Sequence, residues 1–113
     1  MHEMSLCESV VELVQEQAHL QGFCQVQRIC LEIGELSCVS EEALCFAFDA
    51  VAKGTLAEAA LLCVDTVAGV GWCSACQCEV GMQQRYDACP ECGYYPLVIR
   101  AGEEMRIKAL EVV

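Results

Sequence analysis

Apolar residues recur at helical spacing in the first part of the chain. The pattern predicts a helix over residues 6–21, and one of its faces carries Leu6, Val10, Leu13 and Val14. Ser5 and Glu8 have the spacing of a capping box, in which each side chain bonds the backbone N–H of the other residue. Gly22 suits a helix end, because glycine adopts the left-handed conformation there without strain.

A second helix is predicted to follow Ser40. Serine before Glu41 and Glu42 is typical of an N-cap with acidic residues in the first turn, where the helix dipole favours them. Its apolar face contains Leu44, Ala47, Phe48 and Val51. Gly54, directly after Lys53, marks the expected end of this helix.

Three segments have the pattern of β-strands. Residues 26–33 alternate between aliphatic and charged side chains, and residues 60–67 and 105–112 are rich in β-branched and aliphatic residues. Between the second and third strands, residues 69–102 hold five cysteines, both prolines, all three tyrosines and the only tryptophan. We interpret that stretch as an inserted module.

The order of elements predicts an α+β fold. Two helices would pack on a small three-stranded sheet, and the inserted module would form a separate zinc-ribbon domain. We expect one domain of residues 1–69 plus 103–113 and an inserted domain of residues 70–102.

Charge and hydropathy exclude several classes of function. The 113 residues include 6 basic and 17 acidic side chains, a net charge of −11, which repels a phosphate backbone. Nucleic acid is therefore a poor candidate partner. Neither a signal peptide nor an apolar run of membrane-spanning length is evident, so we expect a cytoplasmic protein without a membrane partner.

Four of the eleven cysteines form two Cys-x-x-Cys units: Cys73, Cys76, Cys89 and Cys92. Two such knuckles can surround one metal ion with four thiolates, a geometry suited to structural zinc or to rubredoxin-like iron. We favour zinc, because nothing else in the chain suggests electron transfer. Cys78 is an alternative ligand to Cys76, but Cys76 repeats the spacing of the second unit. With four protein ligands the site is closed to a catalytic water.

Two other interpretations of the cysteines compete with a metal site. A single Cys-x-x-Cys is typical of a dithiol redox centre, but the matching second pair favours metal. A thiol redox protein would need a low-pKa cysteine beside positive charge, for which six basic residues give little support. Four further cysteines lie in periodic segments and are expected in the core: Cys7, Cys30, Cys45 and Cys63.

The amino terminus is a candidate second metal site. The free amine of Met1, the backbone amide of His2 and its imidazole Nδ1 can close consecutive chelate rings on one ion, with the amide of Glu3 as a fourth nitrogen. A planar array of nitrogen donors suits Ni(II) or Cu(II). A near-terminal histidine can also be an ordinary solvated residue, and His19 is expected at the surface near a helix end.

Three features together resemble the HypA/HybF family of hydrogenase nickel-incorporation proteins. They are the start Met1–Cys7 (Met-His-Glu-Met-Ser-Leu-Cys), the segment Leu31–Val39 (Leu-Glu-Ile-Gly-Glu-Leu-Ser-Cys-Val) and the paired knuckles. The resemblance covers essentially the whole chain. It implies a non-enzymatic metallochaperone that carries Ni(II) to the large subunit of [NiFe]-hydrogenase, together with a nickel-binding GTPase accessory protein.

The resemblance also implies residue roles. His2 would be the nickel ligand, Glu3 would tune the same site, and the four knuckle cysteines would hold structural Zn(II). Some members carry an aspartate near the position of Ser40 that closes over the nickel, and here only Glu41 and Glu42 could substitute. No histidine flanks the knuckles, unlike in some members. The alternative function is a zinc-ribbon adaptor contacting transcription machinery or nucleic acid.

Overall fold

A computed structural model describes residues 3–113 of the chain. These residues form two α-helices and six β-strands, in the order α1 (Glu3–Gln21), β1 (Val26–Gly34), α2 (Glu41–Val51), β2 (Leu61–Val67), β3 (Gly69–Cys73), β4 (Cys78–Met82), β5 (Val98–Ala101) and β6 (Met105–Val112). A short 3-10 turn, Glu35–Ser37, follows β1. The strands form two three-stranded sheets, ordered β2-β1-β6 and β4-β3-β5. The predicted α+β class with an inserted ribbon is confirmed.

The residues divide into two compact units. The helical unit comprises the chain up to Leu31, Val39–Asp65 and Ile107–Val113, and the ribbon unit comprises Glu32–Cys38 and Thr66–Arg106. No helix in residues 3–113 is both long enough and apolar enough to cross a membrane.

The helical unit is built on the contact between α1 and α2. The first helix buries Leu6, Cys7, Val10, Val11 and Val14. The second buries Leu44, Ala47 and Phe48, as its apolar spacing predicts. The Cys7 thiol donates a hydrogen bond of 3.4 Å to the Leu44 carbonyl, which links the two helices. The middle strand of the sheet adds Val26, Ile29 and Leu31 to the buried residues.

The predicted start of α1 is wrong. The helix already includes Glu3, so Ser5 lies inside it rather than at its N-cap. Each residue added to an existing helix gains a backbone hydrogen bond, and serine costs little in a helix, so propagation outweighs a capping box at this position. Leu13, expected on the buried face, is 45% exposed.

The other predicted ends are close to those observed. Gly22 has a φ of +80° and donates its N–H to the Ala18 carbonyl, as expected of a residue that ends a helix. Ser40 caps α2, since its hydroxyl accepts the Ala43 N–H at 3.3 Å. That helix ends at Val51, slightly before the predicted Lys53.

Candidate metal centre

The first knuckle is the turn of a β-hairpin. Strands β3 and β4 pair antiparallel, and their register closes with Cys73 opposite Cys78. Cys73 therefore ends one strand and Cys76 lies in the turn itself, whereas Cys78 already belongs to the next strand. The second knuckle, with Cys89 and Cys92, lies in the loop between β4 and β5.

Both knuckles fold by the same backbone hydrogen bonds. The N–H of Gln77 donates to the Cys73 carbonyl at 2.7 Å, and the N–H of Gly93 donates to the Cys89 carbonyl at 2.8 Å. Both donors have positive φ, +54° for Gln77 and +77° for Gly93. The left-handed residue after the second cysteine turns each short loop back on itself. Glycine takes this conformation freely, so only the second knuckle has the unstrained residue type.

Four sulfur atoms meet between the knuckles. The Sγ atoms of Cys73, Cys76, Cys89 and Cys92 all lie within 4.8 Å of one another. Two of the separations are 3.6 Å, from Cys73 to Cys92, and 3.9 Å, from Cys76 to Cys89. A tetrahedral ion with metal–sulfur bonds of about 2.3 Å requires sulfur separations of about 3.8 Å. The two separations match this requirement, and the number and type of donors fit a four-coordinate ion such as zinc.

Cys78 does not belong to this group of sulfurs within residues 3–113, although it is opposite Cys73 in the hairpin. It lies in β4 rather than in the turn that contains Cys76. The structure thus favours Cys76 over Cys78 as the fourth member, in agreement with the repeated spacing of the two knuckles.

The electrostatics of the sulfurs suit a bound cation. The backbone N–H groups of Cys92 and Glu91 stabilise the Cys89 thiolate and lower its pKa to about 7. The pKa of Cys76 is raised, first by its hydrogen bond with Cys92 and then by Cys73. Four adjacent thiols cannot all ionise alone, because each thiolate repels the next. A divalent cation removes that penalty by pairing with the negative charge.

A small apolar core supports the sulfur group. One cluster of buried residues contains Leu36, Cys73, Val80, Met82, Cys89 and Leu97, with Ile99 packed against it. Gly71 makes close packing possible, since a Cβ on it would collide with Met82 and crowd Leu97. Leu36 comes from the turn after β1, so the segment Glu32–Cys38 belongs to this unit.

The proposed nickel ligands Met1 and His2 lie outside the described residues. Glu3 occupies the first turn of α1 and is half-buried. Glu41 and Glu42 are exposed in the first turn of α2. His19 is exposed in the last turn of α1, where the sequence places it.

Sequence reasoning missed two residues that shape the ribbon unit. The left-handed conformation of Gln77 could have been inferred from its position, which is equivalent to that of Gly93 after the second cysteine. The burial of Leu36 in the ribbon unit could not be inferred, because nothing in the local sequence pattern indicates which core this residue enters. The Arg100 guanidinium stacks on Trp72, 4.4 Å from the ring centroid, an arrangement that sequence spacing does not signal.

Comparison with known proteins agrees with this architecture. A family model described as hydrogenase/urease nickel incorporation, metallochaperone, hypA matches residues 1–112. Hydrogenase maturation factor HypA of Acidithiobacillus ferrooxidans is 52% identical over 112 residues, which is 99% of both chains. The protein of the same name from Azotobacter vinelandii is 46% identical with the same coverage.

Solved structures give the same assignment. The solution structure of the Ni metallochaperone HypA from Helicobacter pylori superposes with a TM-score of 0.75 at 26% identity, covering 100% of this chain and 98% of that one. Because the family match and the relatives extend over nearly the whole length, this chain belongs to the HypA family of nickel-incorporation metallochaperones for hydrogenase maturation.

Proposed function

We propose that this chain binds Ni(II) at its amino terminus and delivers it to the large subunit of [NiFe]-hydrogenase. It works in the cytoplasm with a nickel-binding GTPase and without catalytic turnover. The observation that carries the proposal is the family match over residues 1–112, whose description names nickel incorporation. The ligands are the amine of Met1, the backbone amide and imidazole of His2, and Glu3.

The placement of Glu3 supports this ligand set. It is half-buried in the first turn of α1, so the helix holds the residue that directly follows His2. The exposed first-turn acids Glu41 and Glu42 are the candidates for an additional carboxylate. A carrier must also release its ion, and a short terminal segment can open at low cost in free energy.

We assign structural zinc to Cys73, Cys76, Cys89 and Cys92. The sulfur separations of 3.6 and 3.9 Å match a tetrahedral Zn–thiolate centre. All four positions are supplied by protein, so this ion has no open coordination site for cargo exchange. Elemental analysis of untagged protein should find one zinc per chain, and an iron–thiolate absorption spectrum instead would contradict the assignment.

The alternative function, a ribbon that contacts nucleic acid, is disfavoured by the charges of the ribbon unit. That unit contains seven acidic and three basic residues. Arg85 is paired with Glu103 and Arg106 with Glu32, while Arg100 lies over Trp72. Each arginine thus lies beside an acidic or aromatic side chain, and the excess of acidic residues repels phosphates. A DNA mobility shift that disappears with salt would revive this alternative.

The nickel site can be tested with the chain's own controls. In calorimetric titration of zinc-loaded protein at pH 7.5, His2→Ala should abolish tight nickel binding. His19→Ala removes the only other histidine and should leave binding intact. Residues added before Met1 should be nearly as harmful as His2→Ala, because they turn the amine into an amide. Full affinity in His2→Ala would overturn the terminal site.

The Glu3 carboxylate and the pH dependence of nickel affinity give a second test. Glu3→Gln should weaken nickel binding less than His2→Ala does, and Glu8→Gln on the exposed side of the same helix should not change it. Affinity should fall below about pH 6, because the imidazole, with an ordinary pKa of about 6.5, and the amine, at about 7.7–8.0, must lose protons to bind. A pH-independent affinity would contradict these ligands.

Delivery requires its own measurement. Purified large-subunit precursor should acquire radioactive nickel from the loaded wild-type chain and none from His2→Ala. The net charge of −11 favours a basic docking patch on the GTPase, so their association should slow as salt screens the field. An association rate that is unchanged by salt would remove this steering argument.

A further inference from the structure

Seven cysteines lie outside the four-sulfur group, and two of them lie on neighbouring strands of one sheet. Cys30 is on β1 and Cys63 on β2, which are adjacent in one sheet. Residues opposed on adjacent strands have Cα atoms about 4.8 Å apart, within the range of about 4.4–6.8 Å that a disulfide requires. Burial raises the pKa of Cys30, and the Cys63 thiol raises it further by its charge and hydrogen bond.

Both thiols lie on a sheet face that small molecules can reach. Each is half-buried, and each shares its face with a charged residue two positions along its strand, Arg28 for Cys30 and Asp65 for Cys63. Arg28 pairs with Glu111 at 3.5 Å, and Asp65 pairs with Lys108 at 3.5 Å. These side chains are 44–64% exposed, so the ion pairs that flank the dithiol are weak and open readily.

The other thiols are placed differently. Cys7 is 1% exposed, and its thiol donates to a backbone carbonyl on α2. Cys38 is exposed on the 3-10 turn, and its thiol donates to the Leu36 carbonyl. The pair on β1 and β2 is therefore better placed for a cross-strand link than Cys7 or Cys38.

We propose that Cys30 and Cys63 form an oxidation-sensitive dithiol, which hydrogen peroxide converts to a disulfide between β1 and β2. One thiol, losing its proton, attacks a peroxide oxygen, the O–O bond breaks, and a sulfenic acid and water form. The second thiol attacks the sulfenic sulfur, the S–O bond breaks, and the hydroxyl leaves as water with the second proton. Two thiols and one hydrogen peroxide thus yield one disulfide and two water molecules.

The raised pKa of Cys30 makes this reaction slow at neutral pH, because the thiolate is the nucleophile. The site would respond to sustained peroxide rather than to brief exposure. The link would close residues 31–62, including all of α2, into a loop. A cross-link of this kind limits the unfolded chain and raises the unfolding temperature.

Peptide mapping of the full-length, zinc-loaded protein tests the link directly. After exposure to hydrogen peroxide at pH 8, remaining thiols are alkylated, and the protein is cut after Lys, Arg, Glu and Asp without reductant. Residues 29–32 and 59–65 are released as peptides that each contain one cysteine. We expect them joined, two hydrogens lighter than their sum, and separated by dithiothreitol. Cys30 recovered only alkylated, or only as a sulfonic acid, would overturn the proposal.

Matched variants separate this pair from other thiols. Peroxide should remove two thiols from the wild-type protein and raise its unfolding temperature. Neither change should occur in Cys30→Ser or Cys63→Ser. Both changes should still occur in Cys38→Ser, which replaces an exposed cysteine outside the pair. A loss of two thiols that persists in Cys30→Ser would assign the reaction to other cysteines. Zinc content measured in parallel must stay at one per chain, and a thiol loss that coincides with zinc release would overturn the assignment.

Discussion

The two compact units of this protein are stabilised in different ways. The helical unit buries a long series of aliphatic side chains from both helices and the middle strand of its sheet. The core cluster of the ribbon unit contains six buried residues, and two of these are cysteines of the four-sulfur group. Burial of apolar surface can stabilise the first unit, but the second has too small a core to fold on that basis.

The difference shows how a unit with a small hydrophobic core can still adopt one defined fold. In the ribbon, backbone hydrogen bonds at Gln77 and Gly93 set the two knuckles, and sulfur ligation of an ion would replace the missing hydrophobic area. The stability of the ribbon unit should therefore depend on bound metal, and the stability of the helical unit on side-chain packing. This separation can be tested from the largest expected effect to the smallest.

Removal of the metal should have the largest effect. Zinc binding at thiolate sites contributes about 10–16 kcal/mol in model peptides, so chelation should unfold the ribbon unit and leave the helices formed. Trp72, the only tryptophan, lies in β3 beside Cys73, so its emission should shift to longer wavelength. Helical circular dichroism should persist. Unchanged Trp72 emission after zinc loss would contradict the dependence on metal.

Single cysteine variants sharpen the same comparison. Cys76→Ser removes a thiolate of the four-sulfur group and should lose zinc, whereas Cys78→Ser should keep it, since Cys78 is outside that group. Zinc content per chain is the measurement. If Cys76→Ser kept zinc and Cys78→Ser lost it, Cys78 rather than Cys76 would be the ligand.

A cavity in the helical unit should have the next largest effect. Leu44 is fully buried on α2, so Leu44→Ala should lower the free energy of unfolding by about 2–5 kcal/mol. Urea unfolding followed by helical circular dichroism measures this loss, and zinc content should not change. Leu20→Ala is the control, because that side chain is 76% exposed and should change stability by less than about 0.5 kcal/mol. Equal effects of the two substitutions would show that α2 packing is not what stabilises this unit.

Alkaline pH should weaken the helical unit by a comparable or smaller amount. Burial, and then the charge of Cys45, raise the pKa of Cys7 to about 11 from 9.0. The folded state therefore prefers the neutral thiol, so this contribution is complete below pH 9 and is lost as pH rises towards 11. A shift of two units corresponds to at most about 3 kcal/mol. The measurement is the free energy of unfolding across this range, and Cys7→Ala should flatten it. If the free energy of unfolding changed with pH in the same way in the wild-type protein and in Cys7→Ala, the role of this thiol would be contradicted.

Elements with strong local signals were predictable from the sequence. The strand Met105–Val112 and the Ser40 cap agree with expectation because alternation and capping chemistry act over neighbouring residues. Leu13 and Leu36 show that the local pattern does not determine which apolar side chains are buried, or in which core. One is 45% exposed despite its helical spacing, and the other enters the core of the ribbon unit. Which apolar side chain finds a partner depends on distant segments, which periodicity does not report.

The candidate sites divide in the same way. The four cysteines were predictable because the repeated spacing itself encodes two matching turns. The proposed pairing of Cys30 with Cys63 depends on β1 and β2 being neighbours, which the sheet order shows and the sequence pattern does not. The nickel ligands at Met1 and His2 remain a prediction from chemistry and family resemblance.

The smallest expected effect compares two serines near helix starts. Ser40 accepts the Ala43 N–H, so Ser40→Ala should lower the free energy of unfolding by about 1 kcal/mol. Ser5 is exposed inside α1, where alanine is the better helix former, so Ser5→Ala should be neutral or stabilising by a few tenths of a kcal/mol. Urea unfolding of the two zinc-loaded variants gives the difference. A loss in Ser5→Ala as large as that in Ser40→Ala would mean that Ser5 caps a helix starting later than Glu3, because only a lost cap would make alanine the poorer residue there.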